Sequence, residues 1–168
     1  KIPITSMGYL GTLVAVNATL RAMKVSYLDL LLVHRPNAAP ARTKPGQVKG
    51  VVTRRLRLGT WRALSEAQAA GQVRFLGVSN YGHPFLRELR EACARHGWPL
   101  PSYHELEYHP WIPEHDAIVK WCQGNGVVVI AYGSLGSSNN RASAGAGVAA
   151  VAARHGASSA QVLLRWAL

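Results

Sequence analysis

Acidic side chains are scarce in this chain: 8 Asp and Glu stand against 19 Lys and Arg, a formal net charge of +11 over 168 residues. That imbalance would draw polyanions to the surface, so an RNA-containing or larger protein assembly enters as a candidate partner. Cysteine is almost absent as well. Cys93 and Cys122 lie far apart among apolar, helix-like neighbours with no paired ligand spacing, so two buried thiols are expected rather than a disulfide or a metal site. Long hydrophobic runs are missing too, because Asp, His, Arg or Gly breaks every apolar stretch well short of the roughly 18 residues that a membrane span needs. A soluble chain with no membrane partner is expected. It opens at Lys1 with neither an initiator methionine nor a charged-then-apolar leader, which leaves cytoplasmic and organellar locations both open.

What is present is alternation. Leu28 to Val33, Val73 to Val78 and Val127 to Ala131 are short apolar runs, broken only by Asp29 and Arg74 and bounded by turn residues, and they read as strands buried on both faces. Ser102 to Tyr108 is a fourth candidate strand. Amphipathic segments lie between them. Leu13, Val16, Leu20 and Met23 make one stripe; Trp61, Leu64 and Ala67 follow a Thr60 N-cap and stop at Gly71. Pro84 opens a helix that ends at Gly97, and Pro113 opens another that ends at Gly124. Ser158 to Gln161 has capping-box spacing ahead of Val162, Leu163 and Trp166.

Strands and helices in strict alternation imply parallel pairing and an α/β sheet, with residues 1–168 as a single domain. An open doubly wound sheet and a (β/α)₈ barrel both fit that order. No Gly-rich dinucleotide fingerprint opens a helix after a strand, which counts against the open sheet. The carboxyl ends of the apolar runs favour the barrel. "YLDLLLVHRP" runs into His34, and the later runs end at Ser79-Asn80, at Glu105 and Glu107, and at Tyr132-Gly133-Ser134. Barrel enzymes build their sites from that rim.

Five segments in order carry a resemblance: "SYLDLLLVHRP" (26–36), "TWRALSEAQAAGQVRFLGVSNYG" (60–82), "ELEYHPWIP" (105–113), "WCQGNGVVVIAYGSLGS" (121–137) and "AQVLLRWAL" (160–168). Together they resemble the aldo-keto reductases, NAD(P)H-dependent enzymes on a (β/α)₈ TIM barrel. The resemblance implies an incomplete barrel, roughly the family's fourth to seventh strands without the first strands or the eighth. It also implies NADPH as cofactor and a small aldehyde or ketone as substrate. His34 matches the catalytic histidine that orients the carbonyl oxygen, and Lys1 sits at about the distance of the catalytic lysine. Ser79, Asn80 and Glu105 match positions that hold the nicotinamide carboxamide, and Tyr132 matches the aromatic that stacks on its ring. Gly133, Ser134, Leu135, Gly136 and Ser137 match the loop along the pyrophosphate, while Arg35 and Trp111 match the substrate pocket. No metal is implied. The family's catalytic tyrosine and aspartate fall in segments ahead of Lys1, so residues 1–168 alone are expected to be inactive.

Three positions depart from the family pattern. Glu105 stands for a glutamine, and an ionised carboxylate cannot donate a hydrogen bond. His104 replaces an asparagine, and Arg35 replaces a tryptophan, bringing a guanidinium that favours an acidic substrate.

A competing reading is a non-catalytic pseudoenzyme serving as a structural or RNA-associated subunit. It rests on the net charge, the missing tyrosine and an acid-free stretch holding Arg42, Lys44, Lys49, Arg54, Arg55 and Arg57. That stretch contains no aromatic residue to stack on bases. "HELEYH" (104–109) invites a zinc reading, but its histidines are five apart rather than the four that a helical zinc motif requires. Trp61, Trp111, Trp121 and Trp166 are expected to pack the helix shell, Trp111 being the one placed to approach the substrate from a loop, and "SSNNRASAGAG" (137–147) to form a loop.

Overall fold

The computed structural model describes residues 1–37, 53–136 and 145–168. Among these residues the helices are α1 (Tyr9–Met23), α2 (Arg54–Ala69), α3 (His83–His96), α4 (Asp116–Gly124), α5 (Ala146–Arg154) and α6 (Ser159–Ala167). The strands are β1 (Leu28–Val33), β2 (Val73–Ser79), β3 (Tyr103–Glu107) and β4 (Val128–Tyr132), in sheet order β1-β2-β3-β4. Two compact units are distinguished, Lys1–His104 and Glu105–Leu168.

In the first unit, β1 and β2 pair in parallel with Leu28 opposite Val73 and Val33 opposite Val78. Leu31, Leu32 and Val33 are all buried, so the second half of β1 is covered on both faces, as an uninterrupted apolar run predicts. Asp29 is the strand's one charged residue; it sits at the exposed end and pairs with Arg74 at 3.1 Å. Gly77 permits a close approach: a Cβ there would lie 2.6 Å from the Tyr103 carbonyl oxygen.

The α1 stripe is rotated from its expected position. Thr12, Val16 and Leu20 are buried at four-residue steps, whereas Met23 is 60% exposed. Helix α2 also differs, beginning at Arg54 under a Thr53 cap whose hydroxyl accepts the Leu56 N–H at 3.3 Å. Thr60, expected to be the cap, is buried in mid-helix. Its hydroxyl donates to the Leu56 carbonyl at 3.0 Å and accepts the Gly8 N–H at 2.8 Å. It therefore closes a gap at the start of α1, where Gly8 at φ +102° has left regular structure. Pro84 in the first turn of α3 and left-handed Gly97 (φ +68°) at its end follow expectation.

In the second unit, α4 buries Ile118 and Cys122. The Ser158 capping box is present in full, with Ser158 Oγ accepting the Gln161 N–H at 3.2 Å and Gln161 Oε1 accepting the Ser158 N–H at 2.8 Å. Two expectations change. Strand β4 is not covered on both faces, since Val128 is 54% exposed. Trp166, at 41% exposure, is only partly covered and rests against Tyr108, ring centroids 4.8 Å apart. Helix α5 was not expected at all; its run of Ala, Gly and Val carries no strong stripe, and it buries Ala152.

Candidate active site

In the first unit, candidate residues gather where β1 and β2 end side by side. His34 directly follows β1 and its main chain is held from two directions. Its N–H donates to the Ile2 carbonyl at 3.1 Å, and its own carbonyl accepts Asn80 Nδ2 at 2.9 Å. Ile2 in turn donates its N–H to the Leu32 carbonyl at 2.8 Å and bridges Val33 in parallel, so Lys1 enters alongside β1. His34 and Arg35 are half-buried, and Lys1 is exposed.

Ser79 closes β2 fully buried, and its Oγ accepts a second hydrogen bond from Asn80 Nδ2 at 3.0 Å. Asn80 sits at φ +59°, a left-handed backbone that asparagine tolerates better than most side chains. Tyr81 follows, buried, its N–H donating to His104 Nε2 at 3.1 Å. Burial holds the Tyr81 phenol far above its ordinary value of 10.0. Such a phenol keeps its proton near neutral pH and is poorly matched to acid–base work there.

In the second unit, Glu105 and Glu107 are half-buried and share one face of β3, while the intervening Leu106 is buried on the other. Glu107 is tightly embedded. Its Oε1 lies 3.3 Å from Nε2 of the buried His109, whose Nδ1 lies 3.3 Å from the Trp111 N–H. Only Nδ1 can accept that N–H, so Nε2 carries the proton and donates to the carboxylate. His115 Nδ1 donates to the Glu107 carbonyl at 2.6 Å. Next to β3, Tyr132 ends β4, its carbonyl accepting the Tyr108 N–H at 3.0 Å and its side chain 37% exposed. Gly133 and Gly136 then take left-handed backbone at φ +64° and +87°, closed by the Gly136 N–H on the Gly133 carbonyl at 2.8 Å. A Cβ on Gly133 would press on Glu107 Cγ at 3.3 Å, so the turn rests on that side chain. Ser134 is half-buried, Leu135 and Trp111 are exposed, and Ser137 lies outside the described residues.

The structure thus brings His34, Ser79 and Asn80 into one hydrogen-bonded cluster, and in the other unit it sets Tyr132 against Tyr108 and Gly133 against Glu107. His104 and the Glu107–His109 pair are the supporting residues that periodicity does not mark. The only signal for them was a polar residue inside a strand-like run.

A nicotinamide dinucleotide fits these features in three local respects. The Asn80 amide is already oriented, and because Nδ2 is committed to His34 and Ser79, a carboxamide N–H would meet Oδ1. The Tyr132 ring presents accessible surface, and the glycine turn has the backbone form in which successive N–H groups cradle an anion. Glu105 does not fit as well, since an ionised carboxylate offers no donor.

The basic stretch is described only in its second half. Arg42, Lys44 and Lys49 lie outside the described residues, while Arg57 is bidentate to Glu88 with both contacts at 2.8 Å and lies 4.8 Å over the Phe85 ring. No group of three or more His, Cys, Asp or Glu side chains able to hold a metal occurs among the described residues, nor does a helix long and apolar enough to cross a membrane.

The family model described as "Aldo/keto reductase family" matches residues 11–168. The chain is 36% identical over 160 residues to a glycerol 2-dehydrogenase (NADP(+)) of Hypocrea jecorina, covering 87% of this chain and 49% of that protein. It is 34% identical over 179 residues to an NAD(P)H-dependent D-xylose reductase of Scheffersomyces stipitis, covering 90% of this chain and 53% of that protein. Among solved structures, an aldo/keto reductase from Brucella melitensis superposes with a TM-score of 0.74 at 25% identity, covering 96% of this chain and 54% of the other. The chain therefore spans about half the length of the curated relatives it matches.

Proposed function

Because the chain belongs to the aldo/keto reductase family, its fold part of a (β/α)₈ barrel, we propose that the protein is an NADPH-dependent oxidoreductase acting on small aldehydes and ketones. The observation that carries this reading is the bond from Asn80 Nδ2 to the His34 carbonyl, 2.9 Å across the carboxyl ends of adjacent parallel strands. It ties the residue matching the carbonyl-orienting histidine to the residue matching the carboxamide holder.

When bound, NADPH supplies the hydride that reaches the substrate carbonyl carbon. The remaining tasks fall to side chains. His34 orients the carbonyl oxygen and stabilises charge that develops there, and the Lys1 ammonium adds positive potential to the same centre. In the first unit Ser79 and Asn80 would hold the carboxamide; in the second, the Tyr132 ring offers a stacking surface for the nicotinamide and the Gly133–Gly136 turn a cradle for pyrophosphate. Arg35 and Trp111 match the family's substrate-pocket positions; the Arg35 guanidinium favours carbonyl compounds carrying a carboxylate.

Two measurements on the full-length protein, including the segment that carries the family's catalytic tyrosine and aspartate, test the proposal: quenching of NADPH fluorescence on binding, and NADPH oxidation with a panel of aldehydes that includes acidic and neutral members. Saturable quenching with turnover biased toward acidic substrates is expected. No binding and no turnover across the panel would overturn the proposal.

A further inference from the structure

His104 stands inside β3 with no solvent exposure, at a position where a leucine would fill space at lower cost, because a buried imidazole has to find partners for its nitrogens. Its Nε2 is spent on one main-chain group, the Tyr81 N–H at 3.1 Å. That N–H needs an acceptor for a local reason. Strand β2 ends at Ser79, and the left-handed Asn80 (φ +59°) turns the chain out of the sheet ladder. A side chain from the neighbouring strand has to take over. The turn is then pinned on every side: Ser79 by the sheet, Asn80 by the His34 carbonyl at 2.9 Å, and Tyr81 by His104 and by an edge-on contact with Phe85 at 6.2 Å.

We propose that His104 is a positioning residue for cofactor binding: by accepting the Tyr81 N–H it fixes the Ser79-Asn80 turn in the conformation that receives the nicotinamide carboxamide. The assignment rests on the oxidoreductase reading above. It concerns this chain's own residues, since His104 acts through the main chain and touches neither cofactor nor substrate. The acceptor role also selects the tautomer, with the proton on Nδ1, because a backbone N–H cannot donate to a protonated nitrogen.

The test compares His104→Leu and His104→Met, which keep the bulk and remove the acceptor, with His104→Gln, whose amide oxygen reaches about where Nε2 lies. Three readouts are taken on the full protein: hydrogen exchange at the Tyr81 amide, Kd for NADPH, and Kd for 2′-phospho-ADP-ribose, which lacks the nicotinamide. Loss of Tyr81 protection and a roughly tenfold weaker NADPH Kd are expected for the leucine and methionine variants, with the nicotinamide-free ligand unchanged and the glutamine variant within about threefold of wild type. A general loss of folding would instead weaken both ligands together, and that result would overturn the assignment. So would NADPH affinity that is indifferent to His104→Leu or His104→Met while wild type binds, and in that case the oxidoreductase reading stands. Wild-type protein that binds no NADPH would overturn the oxidoreductase reading and the assignment with it.

Discussion

Asn80 holds His34 from the adjacent strand: one Nδ2 donates to the His34 carbonyl at 2.9 Å and to Ser79 Oγ at 3.0 Å, from a residue whose own backbone is left-handed. The contact makes the ends of β1 and β2 a single unit, so side-chain loss and backbone strain can be separated there. Asn80→Ala removes both bonds and leaves a Cβ at φ +59°, for a cost of about 2–3 kcal/mol. Asn80→Gly removes the same bonds without the steric penalty and should cost less. Urea midpoints with unchanged m-values measure the difference. A glycine variant no more stable than the alanine variant would show that the backbone at this position carries no strain.

Thr60 joins α2 to the start of α1 through one hydroxyl, accepting the buried Gly8 N–H at 2.8 Å while donating to the Leu56 carbonyl at 3.0 Å. Thr60→Val keeps the shape and leaves that N–H without its acceptor, which should cost about 1–3 kcal/mol. Thr60→Ser keeps the hydroxyl and should recover most of the loss. Thermal unfolding of the pair checks this, and equal stability of the two variants would rule it out.

Thr60 also shows where sequence reading succeeds and where it stops. Leu28 to Val33 was legible because six residues with a single charge at the exposed end leave a strand no alternative. The helix after it was legible in type but not in onset, because Arg54 to Leu58 present charge that hides helical periodicity, and Thr60 had the chemistry of a cap without the position of one. Helix α5 was missed since alanine and glycine mark neither face nor core. At the site, His34, Ser79, Asn80 and Tyr132 were visible as polar residues ending apolar runs. The bond from Tyr81 to His104 was not, because it joins a main-chain N–H to a side chain 23 positions later and only the folded sheet brings the two together.

Cys93 and Cys122 are buried, and burial lifts both thiols from an ordinary value of 9.0 to about 11. The sign follows from proton linkage. Below pH 9 folded and unfolded chains both keep the protons, and stability is complete. As pH rises toward 11 the unfolded chain releases them first, so stability falls, by at most about 2–3 kcal/mol per thiol. The raised Tyr81 phenol acts in the same direction at higher pH. Denaturant midpoints at pH 8 and pH 10.5 should therefore separate more for wild type than for a Cys93→Ala, Cys122→Ala double variant. An equal drop in both proteins would mean that the thiols are not responsible.

Glu105 is the position where local chemistry and the oxidoreductase reading pull apart. It is half-buried on the β3 face it shares with Glu107, and as an ionised carboxylate it can accept from a carboxamide N–H but cannot donate to a carboxamide oxygen. Its charge also opposes a ligand that carries phosphates. Glu105→Gln supplies the missing donor and removes the repulsion while keeping the shape, so NADPH affinity should rise about fivefold or more, which corresponds to roughly one added hydrogen bond. Glu105→Ala removes the repulsion alone and should gain less. Because salt screens the repulsion and not the hydrogen bond, the advantage of glutamine over alanine should persist at high ionic strength, whereas the gain shared by both variants should shrink. Fluorescence titration at two salt concentrations resolves these contributions. If the glutamine variant bound NADPH more weakly than wild type, Glu105 would instead be a residue the cofactor site depends on in its acidic form.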